Sequence, residues 1–278
     1  MVSRDYRDLL KNWKTGNQMP VLFVGHGNPM NAIEDNRFSA SWEEVGSLLP
    51  RPEAVLCVSA HWETWGPAVN GLTKPRTIHD FGGFPQELYE VQYPAPGSPA
   101  LAKRVQESIQ SVGISIDKDW GLDHGCWSVL KHLYPDADIP VVQFSLDYTQ
   151  PASFHFKLGR ELACLRKEGI LIVGSGNMVH NLRRVVMVSD DFNEAFGLDW
   201  ALEASKQLKN LIEEERYEDL IHYQSISEEM LLAVPTPEHY LPLLYNLAAK
   251  QDGDQIAFFN DEPLAGSLTM TSLVIGGA

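Results

Sequence analysis

A chain of 278 residues, 44% apolar and 21% charged, carries enough apolar material for a sizeable core, which excludes disorder as its overall state. Lys+Arg 22 against Asp+Glu 37 leaves a net charge of −15, a surface that repels phosphate backbones and anionic membranes, so neither nucleic acid nor membrane is an expected partner. No apolar run approaches the roughly 18 residues of a membrane span. The N-terminal stretch is polar and lacks the apolar segment of a signal peptide, and Cys57, Cys126 and Cys164 are too scattered for a disulfide framework or a Cys-rich zinc site, so a reducing, cytoplasmic setting is expected.

In chain order, residues 1–18 read as a helical or loose extension, followed by a domain over 19–278. Pro20–Val24, Ala54–Ser59, Pro140–Ser145 and Gly169–Val173 are short runs apolar throughout, the pattern of strands buried on both faces. Helical spacing falls between them, over 38–48, 99–112, 125–133, 152–167, 191–215 and 237–249, and Ser267–Ile275 reads as a closing strand. Strands separated by helices predict an α/β fold: a single domain whose central, mostly parallel or mixed sheet is flanked by helices. The Pro/Gly-rich stretch 66–99 is too long for a plain connection, and its Phe81, Phe84, Tyr89 and Tyr93 mark an ordered, functional loop.

The placement of the nine histidines is the most informative feature. His26 follows VLFV, His61 follows VLCVS, and His180 comes shortly after LIV, each just past a buried strand. In an open parallel sheet the C-terminal strand ends share one edge, where ligands bind, so these three are expected to converge there as a metal site. Gly25 and Gly27 flank His26 and would let backbone approach a ligand. With Thr236 as a helix N-cap and Pro237 at the first helical position, His239 falls in the first turn, where the helix dipole favours the neutral imidazole that a metal needs. His132, His155 and His222 read as ordinary surface residues, Cys57 as inert core, and Cys126 as a packing residue. Gly25–Met30 and Gly174–Val179 fail the dinucleotide and P-loop patterns, and Gly174-Ser175-Gly176 is not a nucleophile elbow.

Assembled, the segments VLFVGHGNPMNAIEDN, VSAHW, TIHDFGGFPQELYEVQYPAPGSPALA, DHGCWSVLKHLYPDADIPVVQFSLD, GSGNMVHNLR and PTPEHYLPLLY resemble the extradiol aromatic-ring-opening dioxygenases of the DOPA 4,5-dioxygenase type. These are class III, LigB-like enzymes related to the catalytic subunit of protocatechuate 4,5-dioxygenase. The resemblance spans most of residues 20–276, while residues 1–18 and 185–233 match poorly. It implies metal-site positions at His26, His61, His180 and His239, and one divalent metal per chain: zinc in isolated structures, Fe(II) for ring opening. Related enzymes use two histidines and a carboxylate, so Glu238 beside His239 is an alternative ligand. It further implies a small catechol substrate with O₂, and a monomer or small homo-oligomer.

Within that frame His180 is a loose ligand or the catalytic base, since imidazole titrates near neutral pH. His124 is a second catalytic candidate, for hydrogen-bonding substrate. Asp80, with His79, would shape the pocket, and Phe81, Phe84 and Trp62 would pack on the aromatic ring. A zinc-dependent hydrolase and a non-enzymatic metal-binding protein of the Memo type are the alternatives that a His-rich site also fits.

Overall fold

Along the first strand Val21 and Phe23 enter one apolar layer while Leu22 and Val24 enter another, and all four are fully buried. This double burial is why the strand runs are continuously apolar rather than alternating. The computed structural model describes residues 5–11, 13 and 18–277. Of the N-terminal extension, residues 1–4, 12 and 14–17 lie outside the described residues.

The strands are β1 (Val21–Gly25), β2 (Ala54–Thr64), β3 (Ala68–Asn70), β4 (Ser115–Asp117), β5 (Val141–Asp147), β6 (Ile170–Gly176), β7 (Gln255–Phe259), β8 (Pro263–Leu264), β9 (Leu268–Thr269) and β10 (Ser272–Gly276). Eight of them form one sheet in the order β4-β3-β5-β2-β6-β1-β10-β7. The central four, β5-β2-β6-β1, are parallel; β10 and β7 are antiparallel on one flank, and β3 runs against β5 on the other. The fold is thus the expected α/β domain with a mixed sheet between helices. Helices Ala152–Leu162, Asp199–Glu213 and Leu241–Ala248 cover one face, and Arg37–Leu48 and His124–Leu133 the other. Each large apolar side chain buried between the layers contributes roughly 1.5–3 kcal/mol.

Several elements depart from the sequence reading. The closing strand is broken into β9 and β10, and β3, β4 and β7 were not anticipated. The helix expected over 191–215 begins only at Asp199; residues 195–197 instead pair with Leu264 and Gly266. The helix expected from 237 begins at Leu241, and Pro237–Tyr240 form a turn in which the Tyr240 and Leu241 amides both bond the Pro237 carbonyl. Thr236 does not cap it: its hydroxyl donates to Glu238 Oε1 at 2.9 Å. The described part of the N-terminal stretch is a helix, Tyr6–Lys11, docked on the body through a Tyr6–Phe259 ring contact and an Arg7–Glu44 ion pair.

Two of the three histidines expected at the surface are buried. His132 bridges the Asn31 carbonyl (2.8 Å) and the Glu43 carboxylate (3.1 Å), tying helix His124–Leu133 to the segment after β1. His155 is fully buried; its Nε2 donates to the Asp147 carbonyl (3.2 Å), so its Nδ1 accepts from the Tyr245 hydroxyl (3.0 Å). Polar burial of this kind is invisible in a helical pattern because the partners come from distant elements. His222 is exposed as expected, and Cys57 and Cys126 are buried in the core.

One buried ion pair closes the sheet's base. Arg166, with a side chain 0% exposed, donates to the carbonyls of Met19 and Ala249 and pairs with Asp254 at 2.5 Å. Removing one partner of such a pair strands a charge and costs about 3–5 kcal/mol. Asp254→Ala is therefore expected to lower unfolding free energy by about that amount in urea titrations. Asp138→Ala, which breaks the exposed Arg51–Asp138 pair, should change it by less than about 1 kcal/mol.

Burial also holds the His155 imidazole down to about 4. The unfolded chain, with an ordinary imidazole, takes up this proton first, so stability is lost as pH falls from about 6.5 toward 4. Unfolding free energy measured across that window should fall less steeply in His155→Gln than in the unsubstituted protein; equal slopes would refute the assignment.

Candidate metal centre

The register of the parallel strands sets the site. Ser175 of β6 lies opposite Val24 of β1 and Ser59 of β2, and Gly25 lies opposite Gly176. The next residue after β1, His26, therefore emerges at the sheet's C-terminal edge, with its amide bonded to the Gly176 carbonyl at 3.1 Å. His61 is not past the end of β2 but inside it, where the pairing with β5 shifts between Val58 and Glu63. A bulge of this kind re-aims a side chain, which turns His61 toward His26.

Hydrogen bonds fix how each ring presents itself. The Ser175 hydroxyl donates to the Gly125 carbonyl, so His26 Nδ1 must be the donor in its 3.0 Å contact with Ser175 Oγ. That leaves the His26 Nε2 lone pair facing the cleft. His124 Nδ1 donates to Asp80 Oδ2 at 2.9 Å, while the His124 amide donates to Asp80 Oδ1 at 2.8 Å. The same carboxylate lies 3.7 Å from His61 Nδ1. His239 Nδ1 donates to Glu238 Oε1 at 3.1 Å. Three of the imidazoles thus have a proton drawn outward and a lone pair turned inward, the arrangement that metal ligation needs.

The Nε2 atoms of His26 and His61 stand 3.2 Å apart. Two nitrogens about 2.0–2.1 Å from one ion would be separated by about 2.9 Å at a right angle and about 3.4 Å at a tetrahedral one, so the donor set fits a divalent cation. The ligand atoms of His26, His61 and His124 lie within 4.8 Å of one another, as do those of His180, Glu238 and His239. The His239 ring joins the two groups, 5.3 Å from that of His26 and 5.0 Å from that of His61. His180 stacks on His239, with ring centres 3.6 Å apart and planes 11° from parallel. Nitrogen lone pairs lie in their ring planes, and nearly parallel planes do not meet at one ion. In this arrangement only one of those two rings can serve a cation shared with His26 and His61.

Electrostatics disfavour charge on His26, His61, His180 and His239. Burial, then the proximity of the other histidines, holds His26 and His61 well below the ordinary imidazole range. Burial also lowers His239, against the opposing pull of Glu238, and brings His180 down to about 3. Burial alone would raise Glu238, but its hydrogen bond from His239 and further donors bring it to about 2. Neutral imidazoles do not have to lose protons before binding a cation.

The other residues singled out from sequence are placed as follows. Phe81 presents an edge to His124, 5.5 Å between centres, and also meets His79, Phe84 and Tyr89. The Asp80 carboxylate is occupied by His124. Trp62 is buried and stacks flat on Trp120, 5.4 Å away at 4°, and makes no ring contact with the histidines among the described residues. The glycines around His26 serve packing rather than ligand approach: a Cβ on Gly25 would lie 2.7 Å from the Met270 carbonyl carbon, and Gly27 adopts φ 60° with Met270 Sδ in the space a Cβ would need. In sequence Ser175 meets only the test of a nucleophile elbow, which it fails; its role beside His26 has no signal beyond a hydroxyl one residue before the end of an otherwise apolar strand.

The family model for the catalytic LigB subunit of aromatic ring-opening dioxygenase matches residues 21–262. The chain belongs to the LigB family of aromatic ring-opening dioxygenases, in its extradiol branch. It is 49% identical over 263 residues to the 4,5-DOPA dioxygenase extradiol of Escherichia coli K12, covering 93% of this chain and 95% of that one. The 4,5-DOPA dioxygenase extradiol of Beta vulgaris is 40% identical over 230 residues, 80% of this chain and 84% of the relative. The crystal structure of an uncharacterized protein from Escherichia coli K12 superimposes with a TM-score of 0.79 at 44% identity, covering 93% of this chain and all of that one. The LigB-family membership makes this protein a dioxygenase and sets aside the hydrolase and Memo-type readings. Among the described residues no helix is long and apolar enough to cross a membrane.

Gly125 offers a direct check on the cluster. A Cβ there would lie 2.5 Å from Ser59 Oγ and 2.8 Å from His61 Cδ2. Gly125→Ala is expected to push the His61 ring out of place and weaken zinc affinity, by about 10–100-fold as for lost ligand-orienting contacts, while circular dichroism stays unchanged. Competition against a chromophoric chelator measures it.

Proposed function

We propose that this enzyme opens the ring of a small catechol such as DOPA by 4,5-cleavage, with iron(II) held by His26, His61 and His239. The observation that carries this reading is the triangle of the His26, His61 and His239 rings, each 5.0–5.3 Å from the other two. Bound iron(II) supplies a redox centre through which a catecholate and O₂ exchange electrons; zinc has no accessible second oxidation state and cannot do so. Two relatives, 49% and 40% identical, are 4,5-DOPA dioxygenases, which supports DOPA or a near analogue as substrate. The catalytic domain spans 19–278.

The chain's own residues handle position and protons. His180, stacked on His239 and unable to share its ion, takes the second catechol proton as general base. Burial brings it to about 3 rather than the near-neutral range expected of an imidazole, so it is unprotonated at neutral pH, and Glu238 is the neighbour that favours its proton uptake. His124, oriented by Asp80, turns Nε2 to the cleft and accepts a hydrogen bond from a substrate hydroxyl. Asp80 thereby acts on substrate through His124, while Phe81 walls the ring on that side.

Protein loaded anaerobically with iron(II) should consume equimolar O₂ with DOPA or a simple catechol and form a yellow ring-opened product; zinc-loaded protein should not. His180→Gln should retain iron and lose roughly 10²–10⁴-fold in turnover, the usual worth of a general base. Loss of iron together with turnover would make His180 a ligand. No oxygen uptake by iron-loaded protein with any catechol would remove the substrate reading.

A further inference from the structure

Asp123 is a fully buried carboxylate that the chemistry above does not use. Its Oδ1 accepts from the Ser59 hydroxyl at 2.7 Å and from the Cys126 amide at 3.0 Å. Its Oδ2 accepts from Gln143 Nε2 at 2.7 Å, and its own amide donates to Gln143 Oε1 at 2.8 Å. Gln143 is itself fully buried on β5, its amide bonded to Asn70 Oδ1 at 2.8 Å, so the clamp rests on the sheet.

Each arm leads to a site histidine. Ser59 Oγ, having given its proton to Asp123, accepts from the His61 amide at 3.2 Å, inside the bulge that aims His61. The Cys126 amide belongs to the first turn of helix His124–Leu133, which Asp123 caps, and His124 is the first residue of that turn. We infer that Asp123 is a positioning residue: one carboxylate fixes the β2 bulge and the helix start together, and so sets His61 relative to His124. The inference rests on the reading of His61 as a metal ligand.

Every group facing the two oxygens is a donor, so the site is built for an acceptor on both sides. Asparagine would set an N–H against a donor whichever way it turned. With its Nδ2 toward Gln143 it would oppose Nε2; flipping Gln143 would then oppose the Asp123 amide. Glutamate at 143 resolves the conflict. One oxygen accepts the residue 123 amide, the other accepts the asparagine Nδ2, and the asparagine Oδ1 keeps Ser59 and Cys126. The charge moves from one side of the clamp to the other while all donors stay matched.

The test measures zinc affinity by chelator competition and the visible absorption spectrum of cobalt(II)-substituted protein, on full-length chains of matched melting behaviour. Asp123→Asn should weaken zinc binding by about 10–100-fold and shift the cobalt bands. The double variant Asp123→Asn with Gln143→Glu should recover most of the affinity and the unshifted spectrum. Should Asp123→Asn not fold, Ser59→Ala removes the His61 arm alone, and it too should shift the cobalt bands. A single variant that binds zinc like the unsubstituted protein, a double variant no better than the single, or an unshifted Ser59→Ala would each overturn the inference. Failure of the unsubstituted protein to bind any metal would instead overturn the metal reading on which it rests.

Discussion

Imidazole lone pairs crowded into a buried cleft repel one another unless a ring N–H or a cation sits between them. His26 and His61 bring their Nε2 atoms to 3.2 Å, and His124, His180 and His239 stand close by. Protonation would relieve one contact, but burial and neighbouring rings resist charge on His26 and His61. With no ion present, a neutral His61 can donate Nε2–H to the His26 Nε2 lone pair; a divalent ion takes both lone pairs once that proton moves to His61 Nδ1, which faces Asp80 at 3.7 Å. The folded chain therefore holds a polar constellation that a metal can complete, and the surrounding hydrogen bonds keep its rings in place.

That restraint comes from an outer ring of acceptors. Ser175 holds His26, Asp80 holds His124, and Glu238 holds His239, each by the ring nitrogen that faces away from the cleft. Fixing Nδ1–H fixes the tautomer as well as the ring's angle, so one hydrogen bond decides both where the lone pair is and which way it points. The acceptors are themselves anchored on regular structure. Ser175 stands within a strand buried along its whole length, and Asp80 accepts the backbone amide at the start of helix His124–Leu133. A carboxylate near each end of the cluster also offsets the charge of a bound divalent ion.

How much of this was legible follows from which interactions are local. Continuous apolar runs between helical spacings fixed the parallel core, and histidines placed just beyond such runs had to meet at one edge, whatever their separation in sequence. Aim, in contrast, is tertiary. The bulge that turns His61 depends on a register shift against β5, and the turn that carries His239 replaced an expected helical start because Thr236 bonds Glu238 instead of capping. His132 and His155 read as surface residues since their partners, Asn31, Glu43, Asp147 and Tyr245, come from other elements. Ser175 carries no motif at all; a lone hydroxyl in an apolar strand gains meaning only once Gly125 and His26 are beside it.

The stacking of His180 on His239 gives the proposed division of labour between ligand and base its physical basis. A ligand and a base have opposed requirements: the ligand's lone pair must be committed to the ion, and the base's must be free for a substrate proton. Two imidazoles set in nearly parallel planes 3.6 Å apart satisfy both at once, because geometry bars the second lone pair from the ion that the first can reach. Proximity then does further work. A cation bound at His239 would make proton uptake by the adjacent His180 harder, and Glu238, which shares their group and carries negative charge, counters that effect. Under the proposed roles the base is held near the metal yet outside its reach, with a carboxylate placed where the proton's charge would otherwise be least welcome.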